Sequence, residues 1–159
     1  MPPFPMPDAH PITDADLADL VQRMDEAAKA FIKGDIDHYL SMFDHADDYT
    51  LMSPTGGPTV RGFDFSEEYL ESIRTFFTAG EATLEVDQTY VSGDLAVLVA
   101  VERQRGVVGG TPEQDWSLRV TLVFRKIEGG WELVHRHADG LVHPIPFSHL
   151  GELARGLEA

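Results

Sequence analysis

One stretch limits the fold more than any other: Trp116 to Asp139, reading W-S-L-R-V-T-L-V-F-R-K-I-E-G-G-W-E-L-V-H-R-H-A-D. Its first arm alternates. Trp116, Leu118, Val120, Leu122 and Phe124 fall on one face, while Ser117, Arg119, Thr121 and Arg125 mostly fill the other. That period of two, with β-branched and aromatic residues, marks a strand with one buried face. Glu128-Gly129-Gly130 then tolerates positive φ, so the chain turns back as a hairpin into Trp131–Asp139. A three-residue loop there pairs even-numbered residues with even-numbered ones. Val120, Leu122 and Phe124 then share an enclosed face with Val134, Arg136 and Ala138, joined from the preceding strand by Leu98, Ala100, Glu102 and Gln104. A two-residue loop instead slips the register by one and turns His135, His137 and Asp139 inward.

The first half of the chain carries helical spacing. Thr13 reads as an N-cap with Asp14 and Asp16 in the first turn, and Leu17, Leu20, Val21, Met24, Ala28, Phe31 and Ile32 follow at intervals of three and four. Gly34 ends that helix. Ile36, Tyr39, Leu40 and Phe43 form the apolar edge of a short second one. His45-Ala46-Asp47-Asp48 is expected to be a solvated acidic loop, because adjacent loop residues rarely converge on one ion. A short strand over Tyr49–Ser53, a turn at 54–58 and a third helix over Phe65–Ala79 follow, the helix capped by Asp64 or Ser66 and closed by Gly80. Strands occupy the rest: Thr83–Val91, Leu95–Val107, a mobile loop at Val107–Glu113, and the hairpin. A last short helix is expected at His149–Leu157. The expected organisation is a proline-rich leader over 1–12, one domain over 13–143 and a C-terminal extension over 144–159. Helices first and an antiparallel meander after them is an α+β order. The helices are too few to cover both faces of the sheet, so the bare face is expected to meet a second copy.

Charge and composition exclude several functions. The net charge of −15 argues against nucleic acid or an anionic membrane surface as partner. The chain has no Cys, so disulfides, thiolate metal sites and a Cys nucleophile are absent. No apolar run is long enough to span a membrane, and the leader lacks a signal-peptide core, so the expected setting is cytoplasmic. Within this acidic chain, residues 103–136 are the exception: Arg103, Arg105, Arg119, Arg125, Lys126 and Arg136 stand against Glu113, Asp115, Glu128 and Glu132. Cross-strand pairing explains most of that local balance. An Arg-bearing cavity that attracts a carboxylate is the functional alternative.

The ordered set R-x-T-x-V-F-R … G-G-W-x-x-V-H-x-H-x-D, preceded by Gly62-Phe63-Asp64-Phe65 and Tyr69, resembles the SnoaL-like members of the nuclear transport factor 2-like superfamily. Within it, the likeness is to small proteins related to the association domain of calcium/calmodulin-dependent kinase II, and it runs from Leu17 to Val142. The resemblance implies a cone-shaped, strongly curved mixed or antiparallel sheet wrapped around N-terminal helices, a cystatin-like α+β roll with a pocket, and a homodimer through the sheet. Members include ketosteroid isomerases, polyketide cyclases, dehydratases and non-catalytic assembly domains, so fold alone does not name an activity. The arginines that line the association domain's pocket align with Leu122, Ala138 and Glu102, so its anion site is not inherited.

Two functions remain open. In the first, the cone binds a small, mostly apolar molecule without catalysis, through Arg136, Tyr69, Leu122, Phe124, Tyr49 and Trp116. In the second, an isomerase, cyclase or dehydratase uses Glu102 or His137 as base, with Arg136 or Tyr69 polarising an oxygen. Glu102 and Arg136 in one apolar cone also fit a structural ion pair. Arg119, His135 and Asp139, with His137 beside them, form a polar network at the dimer interface in this register. His135 and His137 with Asp139 or His143 can be drawn as a metal site. The favoured reading has no metal and no cofactor.

Overall fold

The computed structural model describes residues 11–156. Most of the expected leader over 1–12, and the end of the 144–159 extension, lie outside the described residues. Helix α1 spans Asp14–Ile32 and starts on a reciprocal cap: Thr13 Oγ1 accepts from the Asp16 amide while the Asp16 carboxylate accepts from the Thr13 amide. After α2 (Ile36–Met42) come β1 (Asp44–Met52), β2 (Val60–Arg61), α3 (Glu67–Phe76), β3 (Phe77–Ser92) and β4 (Leu95–Val108). Then follow β5 (Gln114–Asp115), β6 (Leu118–Ile127), β7 (Gly130–Asp139) and α4 (Phe147–Arg155).

The strands form one sheet in the order β2-β1-β7-β6-β4-β3, with β5 added against β4. β1 runs parallel to β7 and all other pairs are antiparallel, which makes the sheet mixed. Register shifts in β3 and in the β6–β7 ladder bend it. Its concave side wraps α1 and α2. Leu20, Met24, Ile32 and Ile36 of the helices and Leu98, Leu122, Phe124 and Leu133 of the strands are completely or almost completely buried there. Polar ties fix the helix to the sheet: Asp25 accepts from the Leu84 amide at 2.8 Å, and Lys126 reaches Asp16 at 2.6 Å. This is the α+β roll expected from the sequence.

Several local expectations need correction. The third helix stops at Phe76, and Phe77 to Ala79 already belong to β3, paired with Val108 and Val107. Gly80 is therefore a strand residue and not a helix end. A Cβ on it would lie 2.5 Å from Ile32 Cγ1 and 2.7 Å from the Arg105 carbonyl oxygen, so the close crossing of α1 over β3 and β4 requires glycine. The segment expected as a loop at Val107–Glu113 is tied down. Its first residues continue β4, Gly109 donates to the Phe76 carbonyl at 2.8 Å, and Gln114-Asp115 pair back with Gly106 and Arg105. Residues 44–48 are strand and not loop, with Asp44 and His45 set beside Glu132 and Leu133 of β7.

The hairpin reaches the expected orientation by another route. Only Glu128 and Gly129 turn, with Gly129 at φ 77°, and Ile127 lies opposite Gly130. This pairs odd with even residues as far as Phe124 and Leu133. Then Val134 is skipped, and Val123 meets His135, Leu122 meets Arg136 and Val120 meets Ala138. The bulge serves burial: Trp131 and Leu133 are turned into the core at one end, and Ala138 at the other. Leu133, not Val134, joins Phe124 inside.

Candidate functional site

Arg136 leaves β7 on the concave side and meets Glu102 of β4. Arg136 Nη1 donates to Glu102 Oε2 at 2.8 Å and Nη2 donates to Oε1 at 2.6 Å, a two-point contact. The Glu102 side chain is 4% exposed and that of Arg136 19%. Burial works against the guanidinium charge, but the Glu102 carboxylate outweighs it and holds the Arg136 pKa above its ordinary value. Both carboxylate oxygens are thereby engaged, and the site carries no net charge from this pair.

Around the pair stand aromatic side chains from the helices and β1. Tyr39 of α2 and Tyr49 of β1 are buried, and both lie within the electrostatic reach of Arg136. Burial pushes the Tyr49 phenol up to about 12 and the Tyr39 phenol still further, so both stay protonated at neutral pH. The Tyr39 hydroxyl is 3.1 Å from His45 Nε2. The His45 ring meets Tyr49 edge-on at 4.9 Å and lies 4.2 Å from Phe63 at an interplanar angle of 32°. Phe65 and Tyr69 extend the cluster outward from Phe63, at 4.7 and 5.9 Å. Desolvation lowers the His45 pKa to about 4, and its Nδ1 is buried without a hydrogen-bond partner.

The residues named from the sequence separate into groups. Arg136, Glu102, Tyr49 and Tyr69 come together on the concave side of the sheet. Leu122 and Phe124 lie on the same side, fully buried, with Phe124 edge-on to Phe43 at 5.1 Å. Trp116 stands on a different segment. Its amide donates to the Gln104 carbonyl and its Nε1 is buried without a partner. His137 is exposed on the convex face, opposite Thr121 and Met52, and is not in the cone.

The convex face has its own polar set. Arg119 grips Asp139 through two contacts of 2.9 Å, which hold the Asp139 carboxyl below its usual range. His135 Nδ1 is 2.7 Å from Thr50 Oγ1. Arg119, Thr121, His137 and Asp139 border a shallow hollow of about 300 Å³ together with Val99 and Val101. Among the described residues, no group of three or more His, Asp or Glu is placed to hold a metal ion, and no helix is long and apolar enough to cross a membrane.

Sequence reasoning missed His45, Tyr39 and Phe63. A signal was present for the first: His45, Tyr49 and Leu51 are all odd-numbered, as along one strand face, but the acidic run at Asp47-Asp48 hid it.

The family profile of the SnoaL-like domain matches residues 20–139. No curated protein matches the chain. Among solved structures, the hub homology domain of calcium/calmodulin-dependent kinase II from Chlamydomonas reinhardtii is 26% identical, at a TM-score of 0.60, over 79% of this chain and 98% of that one. The kinase II hub of S. rosetta is 23% identical, at a TM-score of 0.62, over 86% of this chain and 98% of that one. A candidate dehydratase of the nuclear transport factor 2-like family from Streptomyces avermitilis is 22% identical, at a TM-score of 0.62, over 82% of this chain and 99% of that one.

Proposed function

This chain belongs to the SnoaL-like domain family, and we propose that it is a homodimeric domain binding a small, mostly apolar molecule at the wide end of its cone. The observation that carries the reading is the Arg136–Glu102 pair buried beside Tyr39, Tyr49 and His45. An apolar filling of the same volume is often as stable as a buried ion pair or more so, so stability alone does not account for the charges, and recognition of a ligand is the use this reading gives them. The aromatic rings supply apolar contact, and His45 Nδ1 supplies an unused polar one.

Dimerisation through the convex face has separate support. Met52 and Tyr90 are exposed there, Val97, Val99 and Val123 are half-buried, and the Arg119–Asp139 pair lies among them. Two of the similar structures are named as hub domains. The folding unit is taken as 13–143, since α4 buries none of its side chains. A cytoplasmic setting belongs to the same proposal, for a chain whose net charge is −15 and which holds no Cys.

Acid–base turnover has weaker support. Glu102 serves as a base only after exchanging Arg136 for substrate, and His137 lies on the other side of the sheet. Native mass spectrometry of freshly purified protein tests the reading. The expected spectrum is a dimer carrying a retained mass that denaturation releases; a bare monomer contradicts both parts.

A further inference from the structure

Helix α4 has two unlike sides and buries neither. Phe147, Leu150, Leu153 and Ala154 fall on one side of it, and Ser148, Glu152 and Arg155 on the other. The apolar side is bare. Phe147 is 86% exposed, Leu150 44% and Leu153 53%. A helix of nine residues is marginal in water by itself, so one with this pattern is stabilised by whatever takes up its apolar side.

The connection to β7 sets where that side can go. Residues 140–146 leave the sheet at Asp139, on the convex face. There Asp139 Oδ1 accepts from the Leu141 amide at 2.9 Å, while Arg119 grips the same carboxylate. His143 Nε2 stands 4.0 Å from Asp115 Oδ2 of β5. Pro144 and Pro146 then keep the backbone extended, Pro146 at φ −62° and ψ 150°, and α4 is carried off its own sheet. The root of this arm is fixed on the face expected to meet a second copy, and its helix is unattached.

The two surfaces match in kind. Tyr90, Val97 and Val123 lie side by side across the convex face, with Val99 beside Val97 and Leu95 beyond it. Tyr90 and Leu95 are exposed, and the three valines are half-buried. A lipid surface is the poorer match. A helix that lies on a membrane carries Lys and Arg opposite its apolar side, whereas α4 carries Arg155 beside Glu152, in a chain of net charge −15.

We infer that α4 is an exchanged arm: it packs Phe147, Leu150 and Leu153 on the convex face of a second copy. Two-fold symmetry makes the exchange reciprocal, so each copy covers apolar surface on the other. This rests on the proposed dimer through the convex face and adds the element that completes it.

Full-length protein tests the arm in two ways. In the first, copies labelled with carbon-13 are equilibrated with unlabelled ones, and isotope-filtered NMR reads contacts between copies. The Leu150 and Leu153 methyls of one copy are expected to contact the Val97, Val99 or Val123 methyls of the other. In the second, sedimentation compares the parent with Leu150→Gln/Leu153→Gln, which keeps helix propensity, and with Glu152→Gln on the opposite side of α4. The leucine variant is expected to associate at least about tenfold more weakly, with a native circular dichroism spectrum, and Glu152→Gln to sediment as the parent does. Contacts found only within one copy show α4 folded back on its own sheet and overturn the exchange. A parent dimer whose association the leucine variant leaves unchanged overturns the arm and keeps the dimer through the sheet. A monomeric parent overturns both. Binding of the parent to phosphatidylglycerol vesicles, lost in the leucine variant while the dimer persists, gives α4 to a lipid surface and overturns the inference.

Discussion

Arg136 and Glu102 face each other inside the sheet from strands that are not neighbours, with β6 between them, and are joined by contacts of 2.8 and 2.6 Å. The pair thus ties β7 to β4 across the concave side. Removing one partner strands the other charge. Glu102→Leu or Arg136→Met alone is expected to lower stability by roughly 3–5 kcal/mol, and the double variant Glu102→Leu/Arg136→Met by much less than the two single changes combined. Chemical denaturation of the four proteins checks this; additive losses contradict it.

His45 sets a pH dependence. Its folded pKa is depressed to about 4 from an ordinary 6.5, so below pH 6.5 the unfolded chain takes up a proton that the folded chain refuses. Stability is complete above 6.5 and falls as pH drops toward 4. His45→Phe is expected to flatten that part of the curve of melting temperature against pH. An unchanged slope in the variant contradicts the buried neutral imidazole.

Asp16 acts in a lower window. The Lys126 ammonium, with the Thr13 amide and hydroxyl, holds its carboxyl at about 2, below the ordinary 3.8. A depressed carboxylate contributes stability above its unfolded pKa and loses it as pH falls through the folded one. The Lys126→Met variant is expected to be less stable than the parent at neutral pH and to converge with it between pH 4 and 2. Melting curves that keep the same separation at pH 2 contradict the role of this contact.

The convex face is expected to carry the dimer. Val99 is half-buried in the middle of that face and borders the hollow formed with Thr121, His137 and Asp139. Val99→Arg is expected to weaken association more than tenfold in sedimentation while the circular dichroism spectrum stays native. A variant that sediments as the parent does places the interface elsewhere.

The sequence specified the strands through their period and left the places where the period breaks undetermined. Val120, Leu122 and Phe124 alternate, so β6 was legible to within a few residues. On β7 the inward residues are Trp131 and Leu133, then Arg136 and Ala138. That change of parity is a bulge written in the apolar pattern, and a turn-based argument assigned it to the loop instead. The third helix ran too long because Phe77 and Ala79 suit either state, and only pairing with β4 decides between them. At the site, the meeting of Glu102 and Arg136 was reached through a three-residue loop that does not form; a two-residue turn and the bulge at Val134 together restore the same parity beyond Val123. The meeting of His45 and Phe63 was not legible, because it depends on β1 lying parallel to β7 and on the path of the chain after β2, which local patterns do not encode.

The most direct measurement is a crystal structure of protein purified quickly and never denatured. The expected map shows a small molecule beside Arg136 and Tyr49 on the concave side and a second copy on the Val99–His137 face. A concave side filled by the protein's own side chains alone, in a monomer whose convex face is open to solvent, contradicts it.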